Sequence, residues 1–101
     1  MQAVRIHEHG DVGILQYESA PEPKPKIGEV LVQVKSAAMN HLDLWVRRNI
    51  SGVPLPMILG SDGSGVITQI GDDVTQFQVG DNVCIQPLTY CGHCRFCSRG
   101  Q

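Results

Sequence analysis

No stretch of this sequence approaches the ~20 consecutive apolar residues of a membrane-spanning helix. Its first residues, MQAVRIHEHGDVG, hold no apolar core of signal-peptide length. These two absences predict a cytoplasmic protein without a membrane partner. An excess of one charge is missing too. Net charge is −2, the eight Lys and Arg are scattered, and the one local basic cluster is Arg47-Arg48 near Trp45. A nucleic-acid surface needs a basic stripe, so no nucleic-acid partner is expected. The arginine pair reads as a solvated helix face. Internal repeats and low-complexity runs are also lacking. The 101 residues leave room for one domain with a modest core, which a metal or partner domain often supplements at this size.

Glycine and proline, by contrast, punctuate the whole chain, 11 and 6 of them, and between them lie short apolar runs. QAVRIHEH alternates, with Val4 and Ile6 on one side and Arg5 and His7 on the other. ILQYES answers it across Gly10 and Gly13 as a hairpin partner. His7 and His9 read as exposed strand residues on which nothing converges. The prolines of PEPKPKIGE (residues 21–29) forbid helix and favour extended chain. EVLVQVKSAAMN predicts a strand with Val30, Val32 and Val34 on one face. HLDLWVRRN predicts one short helix, capped by Asn40, with Asp43 in its first turn and Leu42, Trp45 and Val46 facing inward. GVPLPMILG reads as loop, and GSGVITQIG and DNVCIQP as two further strands joined by Gly-Asp turns. Short strands, frequent turns and one helix predict a mainly β fold, a small barrel or sandwich.

The chain closes on TYCGHCRFCSRGQ, with Cys91, Cys94 and Cys97 in two overlapping C-x2-C units. In a reducing compartment such thiols read as metal ligands or buried hydrophobes rather than disulfides. The spacing lets successive thiolates turn inward around one ion, and zinc takes four of them. A bacterial iron–sulfur pattern would continue with cysteine where Gln101 stands, so zinc is favoured. Three sources remain for the fourth ligand: His93, strained by its adjacency to Cys94; Cys84, which reads as a buried small hydrophobe in a strand; or a residue beyond position 101.

Three segments together resemble the medium-chain dehydrogenase/reductase superfamily, the zinc alcohol dehydrogenases and quinone reductases. GSDGSGVITQIGDDVTQFQVGDNV looks like that family's glycine-rich strand-turn-strand. AAMNHLDLWVRRN looks like the segment before it, and CGHCRFCSRG like its structural-zinc lobe. The resemblance implies that residues 1–101 are the N-terminal part of a GroES-like catalytic domain, a partly open β-barrel with one or more short helices. A truncated structural-zinc lobe would occupy about residues 88–101. It also implies a polypeptide some three times longer, whose Rossmann domain binds NAD or NADP and through which members commonly pair, so that a homo-oligomer is expected. The family's fourth cysteine would fall at position 105, past Gln101. The structural zinc would thus be closed from outside this chain, and the chain alone would be inactive.

The same resemblance locates departures. Alcohol dehydrogenases hold a catalytic zinc with a cysteine where Asn40 stands and a histidine where Ser61 stands, and their proton-relay hydroxyl matches Leu42. Asn40 and Ser61 are not typical zinc ligands, and Leu42 moves no proton. Asn40-x-x-Asp43 instead resembles the zinc-independent quinone and enone reductases, which pass hydride directly to an electron-poor carbon. Asn40 could then donate to a developing oxyanion, or simply cap its helix. Asp43 could orient neighbours at the cleft floor or serve as a first-turn acid, and Asp62 keeps a carboxylate beside the lost ligand. His41 matches a position that contacts cofactor pyrophosphate in some relatives, or is a surface histidine. Trp45 lines a substrate pocket or packs the core. The expected function is an NAD(P)(H)-dependent oxidoreductase acting on quinones, enones or aldehydes without catalytic zinc. Its rivals are a zinc-dependent alcohol dehydrogenase with replaced ligands and a stand-alone zinc-binding β module.

Overall fold

The computed structural model describes residues 1–50 and 52–100. The alternating first segment forms β1 (Gln2–Ile6), and its partner forms β2 (Gln16–Ser19). They pair antiparallel with Val4 opposite Tyr17, and a 3-10 turn at Val12–Ile14 lies in the connection. β3 (Val30–Ala38) leads into α1 (His41–Asn49), whose bounds match the segment expected to be helical. β4 (Met57–Ile58), β5 (Asp62–Ile70) and β6 (Asn82–Cys84) follow. The strands make two separate three-stranded sheets, in the orders β2-β1-β4 and β3-β5-β6. The architecture is mainly β, with open sheets rather than a closed barrel. β4 corrects the reading of residues 52–60 as loop. Met57 and Ile58 pair with Ile6 and Arg5 on the free edge of β1, a tertiary contact that a two-residue strand does not announce.

The β3–β5 ladder carries two compensating irregularities. Leu31 faces Gln69, but Val32 faces Ile67, which leaves Thr68 as an extra residue on β5. Val34 faces Gly65, but Ser36 faces Ser64, which leaves Lys35 extra on β3. Each bulge shifts pairing by one residue and sharpens the twist. The second restores the phase that the first removed, so the ladder ends with Ala38 opposite Asp62. Gly65 sits at the second bulge, where a Cβ would strike the Gln33 carbonyl.

Little apolar surface is fully enclosed. Ile6 and Ile67 are completely buried and Ala20 nearly so, while Val34, Met39, Leu42, Trp45, Leu88 and Tyr90 stay exposed. The radius of gyration is 15.7 Å, against about 13 Å for a compact domain of this size. No helix among the described residues is long and apolar enough to cross a membrane.

On the β1–β2 ribbon, Glu18 Oε1 accepts from Arg5 Nε at 2.8 Å and also pairs with His7 Nε2. His7 is therefore not idle, as its sequence context had suggested. The histidine bond first, then the arginine bond, holds the Glu18 carboxyl below its ordinary value of 4.5. A depressed carboxylate favours the folded state above its unfolded pKa, and that contribution disappears as pH falls through the lower folded-state value. Glu18→Gln is expected to lower stability modestly at pH 8, where the carboxylate's contribution is fully present, and to flatten the acid limb below pH 4.5, where wild type loses that contribution anyway, as read by urea titration across pH.

Candidate functional site

The end of β3, the start of α1 and the start of β5 meet at one polar cluster. The helix begins where apolar alternation gives way to the Asn40-x-x-Asp43 pair, and Asn40 keeps an extended backbone at the N-cap, φ −126° and ψ 161°. Its backbone N–H donates to Asp43 Oδ2 at 2.9 Å, the reciprocal half of a capping box. The other Asp43 oxygen accepts from the Gly60 N–H at 3.1 Å. Asp43 is only 3% exposed, yet each of its carboxylate oxygens has a backbone donor. It thus fastens the helix start to the loop before β5. The Asn40 side chain reaches across instead, with Nδ2 donating to Asp62 Oδ2 at 2.7 Å. Asn40, Asp43 and Asp62, named from sequence, are therefore drawn into one hydrogen-bonded chain that also takes in Gly60.

The helix face is not the one expected. The residues that α1 buries are Asp43 and Arg47, whereas Leu42 is 46% and Trp45 is 53% exposed. Of the three residues expected to face inward, Val46 is half-buried but Leu42 and Trp45 are exposed; the buried positions are Asp43 and Arg47, which meet the Gly60 N–H and the Gly10 carbonyl. Arg47 is consequently not a solvated charge. Its Nε donates to the Gly10 carbonyl at 3.3 Å, while the Gly10 N–H donates to the Arg47 carbonyl at 2.9 Å. His9 adds a bond between Nδ1 and the Val46 carbonyl at 2.8 Å. These partners lie some 37 residues apart, and no local sequence signal announces them. On the outer face, His41 packs edge-on against Trp45 with ring centroids 4.8 Å apart. Trp45 is thus partnered on the surface rather than in the core.

At the far end of the chain, Gly92 takes φ +82°, a backbone state that lets the knuckle turn tightly without a Cβ. The Sγ atoms of Cys91, Cys94 and Cys97 lie within 4.8 Å of one another. Cys91 and Cys97 Sγ are 3.7 Å apart. A tetrahedral thiolate site with Zn–S of about 2.3 Å has S···S edges of about 3.8 Å, so the three sulfurs suit three corners of such a site. The Cys94 N–H donates to Cys91 Sγ at 3.3 Å, and the Cys97 N–H to Cys94 Sγ at 3.4 Å. Donation from the His93 backbone, then from that of Cys94, brings the Cys91 thiol down to about 7. The Cys97 N–H likewise lowers Cys94. Both sulfurs are thereby biased toward the thiolate that binds metal. His93 turns Nδ1 to the Cys91 carbonyl at 3.1 Å. Cys84 is exposed on β6, not the buried hydrophobe expected, and neither residue joins the sulfur group.

A family model, the alcohol dehydrogenase GroES-like domain, matches residues 26–101. An alcohol dehydrogenase of Geobacillus stearothermophilus is 43% identical over 91 residues, covering 86% of this chain and 27% of that protein. A solved structure of a cobalt- and zinc-bound thermostable alcohol dehydrogenase from Pyrobaculum aerophilum superposes with TM-score 0.92 at 39% identity, over 99% of this chain and 30% of the other. The Escherichia coli quinone oxidoreductase complexed with NADPH superposes with TM-score 0.78 at 27% identity, over 83% and 26%. The chain spans about three-tenths of the length of these relatives.

Proposed function

Because this chain belongs to the alcohol dehydrogenase GroES-like domain family, we propose that it forms the N-terminal catalytic part of an NAD(P)(H)-dependent medium-chain oxidoreductase that reduces quinones, enones or aldehydes without a catalytic zinc. The observation that carries this reading is the Asn40–Asp62 hydrogen bond of 2.7 Å. Where a zinc-dependent relative needs a thiolate and an imidazole converging on an ion, this site has an amide donating to a carboxylate, with Ser61 alongside. The exposed Leu42 offers no proton relay.

The nicotinamide, when bound, supplies hydride. The residues of this chain have the task of receiving the electron pair that arrives on the acceptor's oxygen. One Asn40 N–H is held by Asp62, and the other remains to donate to that oxygen, which a proton from water then completes. Asp43 holds the Asn40 main chain in place. The exposed His41 would meet a cofactor phosphate from the surface of α1.

The knuckle would hold a structural zinc through Cys91, Cys94 and Cys97, with a fourth ligand from outside this chain. Its chemistry there is a cross-link between backbone turns. The exposed apolar side chains and the few fully buried ones also suit a chain that is one part of a larger protein.

A second reading, a zinc-dependent alcohol dehydrogenase with replaced ligands, draws on the 43% identity to the Geobacillus enzyme. Metal analysis of the complete gene product separates the two. One zinc per subunit is expected, lost in Cys94→Ser, and two per subunit would favour the alcohol dehydrogenase. NADH or NADPH oxidation with 1,4-benzoquinone, trans-2-hexenal and benzaldehyde tests the activity. Turnover of ethanol alone, with none of these acceptors reduced, would overturn the first reading.

A further inference from the structure

We infer that Asp62 is a positioning residue for Asn40: it fixes which way the Asn40 amide faces, and hence which of its polar atoms a substrate meets. The inference rests on the proposal that Asn40 faces substrate. An asparagine amide can turn end for end, exchanging an acceptor oxygen for an NH2 with two donors. An ionised carboxylate only accepts, so it selects the NH2 end. Asn40 Nδ2 meets Asp62 Oδ2 at 2.7 Å, the short distance of a charge-assisted bond.

The main chain of Asn40 is fixed separately, through its N–H on Asp43 Oδ2. Backbone and side chain are thus anchored by two different carboxylates. With both ends held, the second N–H and the Oδ1 keep set directions. Asp62 can do this because the β3–β5 ladder places it opposite Ala38, two residues before Asn40. It is half-buried at the mouth of the ladder, and its bond to Asn40 spans 22 residues of chain. Asp62 acts here as an acceptor that offers no donor in return.

Two measurements test this. In the 15N-labelled chain, one Asn40 side-chain amide proton should be shifted downfield and slow to exchange. The signature should vanish in Asp62→Ala and weaken in Asp62→Asn, which keeps an acceptor oxygen but also offers an NH2 and so no longer enforces one orientation. An Asn40 amide indistinguishable between wild type and Asp62→Ala would overturn the inference. In the complete enzyme, assayed with NADPH and 1,4-benzoquinone, Asp62→Ala should lower kcat about 10- to 100-fold with little change in KM. Asp62→Asn should recover part of the loss, because it keeps an acceptor but not the exclusive choice of the NH2 end. The double variant Asn40→Ala/Asp62→Ala should be no slower than Asn40→Ala, because Asp62 works through Asn40. Additive losses, or an Asp62→Asn as slow as Asp62→Ala, would assign Asp62 a role of its own and overturn the inference. If Asn40→Ala retains full turnover, the substrate-facing role of Asn40 fails, whatever the amide signals show about the pairing.

Discussion

Asp43→Ala is expected to destabilise the chain by about 3 kcal/mol, read as a lowered urea midpoint with an unchanged slope. Asp43 is 3% exposed, and its two oxygens take the N–H groups of Asn40 and Gly60. A hydrogen bond to a charged acceptor contributes about 1.5–3 kcal/mol. Asn40 and Gly60 are themselves exposed, so water replaces part of what is lost, which places the total near the lower end of the sum. Native domains are stable by only about 5–15 kcal/mol, so the loss is a large fraction of what holds the fold. Asp43→Asn is expected to be intermediate, since it keeps one acceptor oxygen but turns an NH2 toward the second N–H. The alanine variant should also loosen the Asn40–Asp62 bond, because the helix start and the loop before β5 would no longer share an anchor. A wild-type midpoint in Asp43→Ala would show that the carboxylate is an ordinary first-turn acid.

Gly65→Ala should be at least as damaging, about 3 kcal/mol or more. A Cβ at this position would lie 2.8 Å from the Gln33 carbonyl carbon and closer still to its oxygen. A flexible side chain could move aside at modest cost, but here the obstacle is the backbone of the neighbouring strand. Overpacking commonly costs about 1–3 kcal/mol, and more when backbone must shift. Gly65 is buried, and the added Cβ would also lie 3.0 Å from Val32 Cγ1 on the same neighbouring strand. The change should also reach the site, because Gly65 adjoins the bulge that restores the register of the ladder. Thermal unfolding of Gly65→Ala should show a large drop in Tm. A Tm within a few degrees of wild type would mean that the strands separate more easily than their packing implies.

Much of the molecule was legible residue by residue. The alternation in QAVRIHEH and EVLVQVKSAA has the period of a strand, and it gave β1 and β3. The Asn40-x-x-Asp43 start marked where α1 begins. The C-x2-C spacing placed the three sulfurs together, because that chemistry is local: six residues separate the first thiol from the last. The inward face of α1 was not legible. By the rule that apolar residues seek a core, Leu42 and Trp45 belong inside, but the inward face carries Asp43 and Arg47, which meet the Gly60 N–H and the Gly10 carbonyl. Nor was the partnership of His9, Gly10 and Arg47, whose bonds join segments far apart in the chain.

Residue type at short, fixed spacing was enough to establish the family, the strand-rich class, the helix and the sulfur knuckle. The sequence also set which side chains stand at the positions that the resemblance singles out: Asn40, Ser61 and Asp62. Only the tertiary structure decided that Asp62, rather than Ser61, stands opposite Ala38 and reaches Asn40. In the register between the two bulges, where Val34 faces Gly65, Ser61 would fall opposite Ala38; the extra residue at Lys35 moves Asp62 there instead. A shift of one residue in a ladder exchanges the two faces of the strand. Whether it occurs depends on the approach of two backbones at Gly65, and that approach is a property of packed strands.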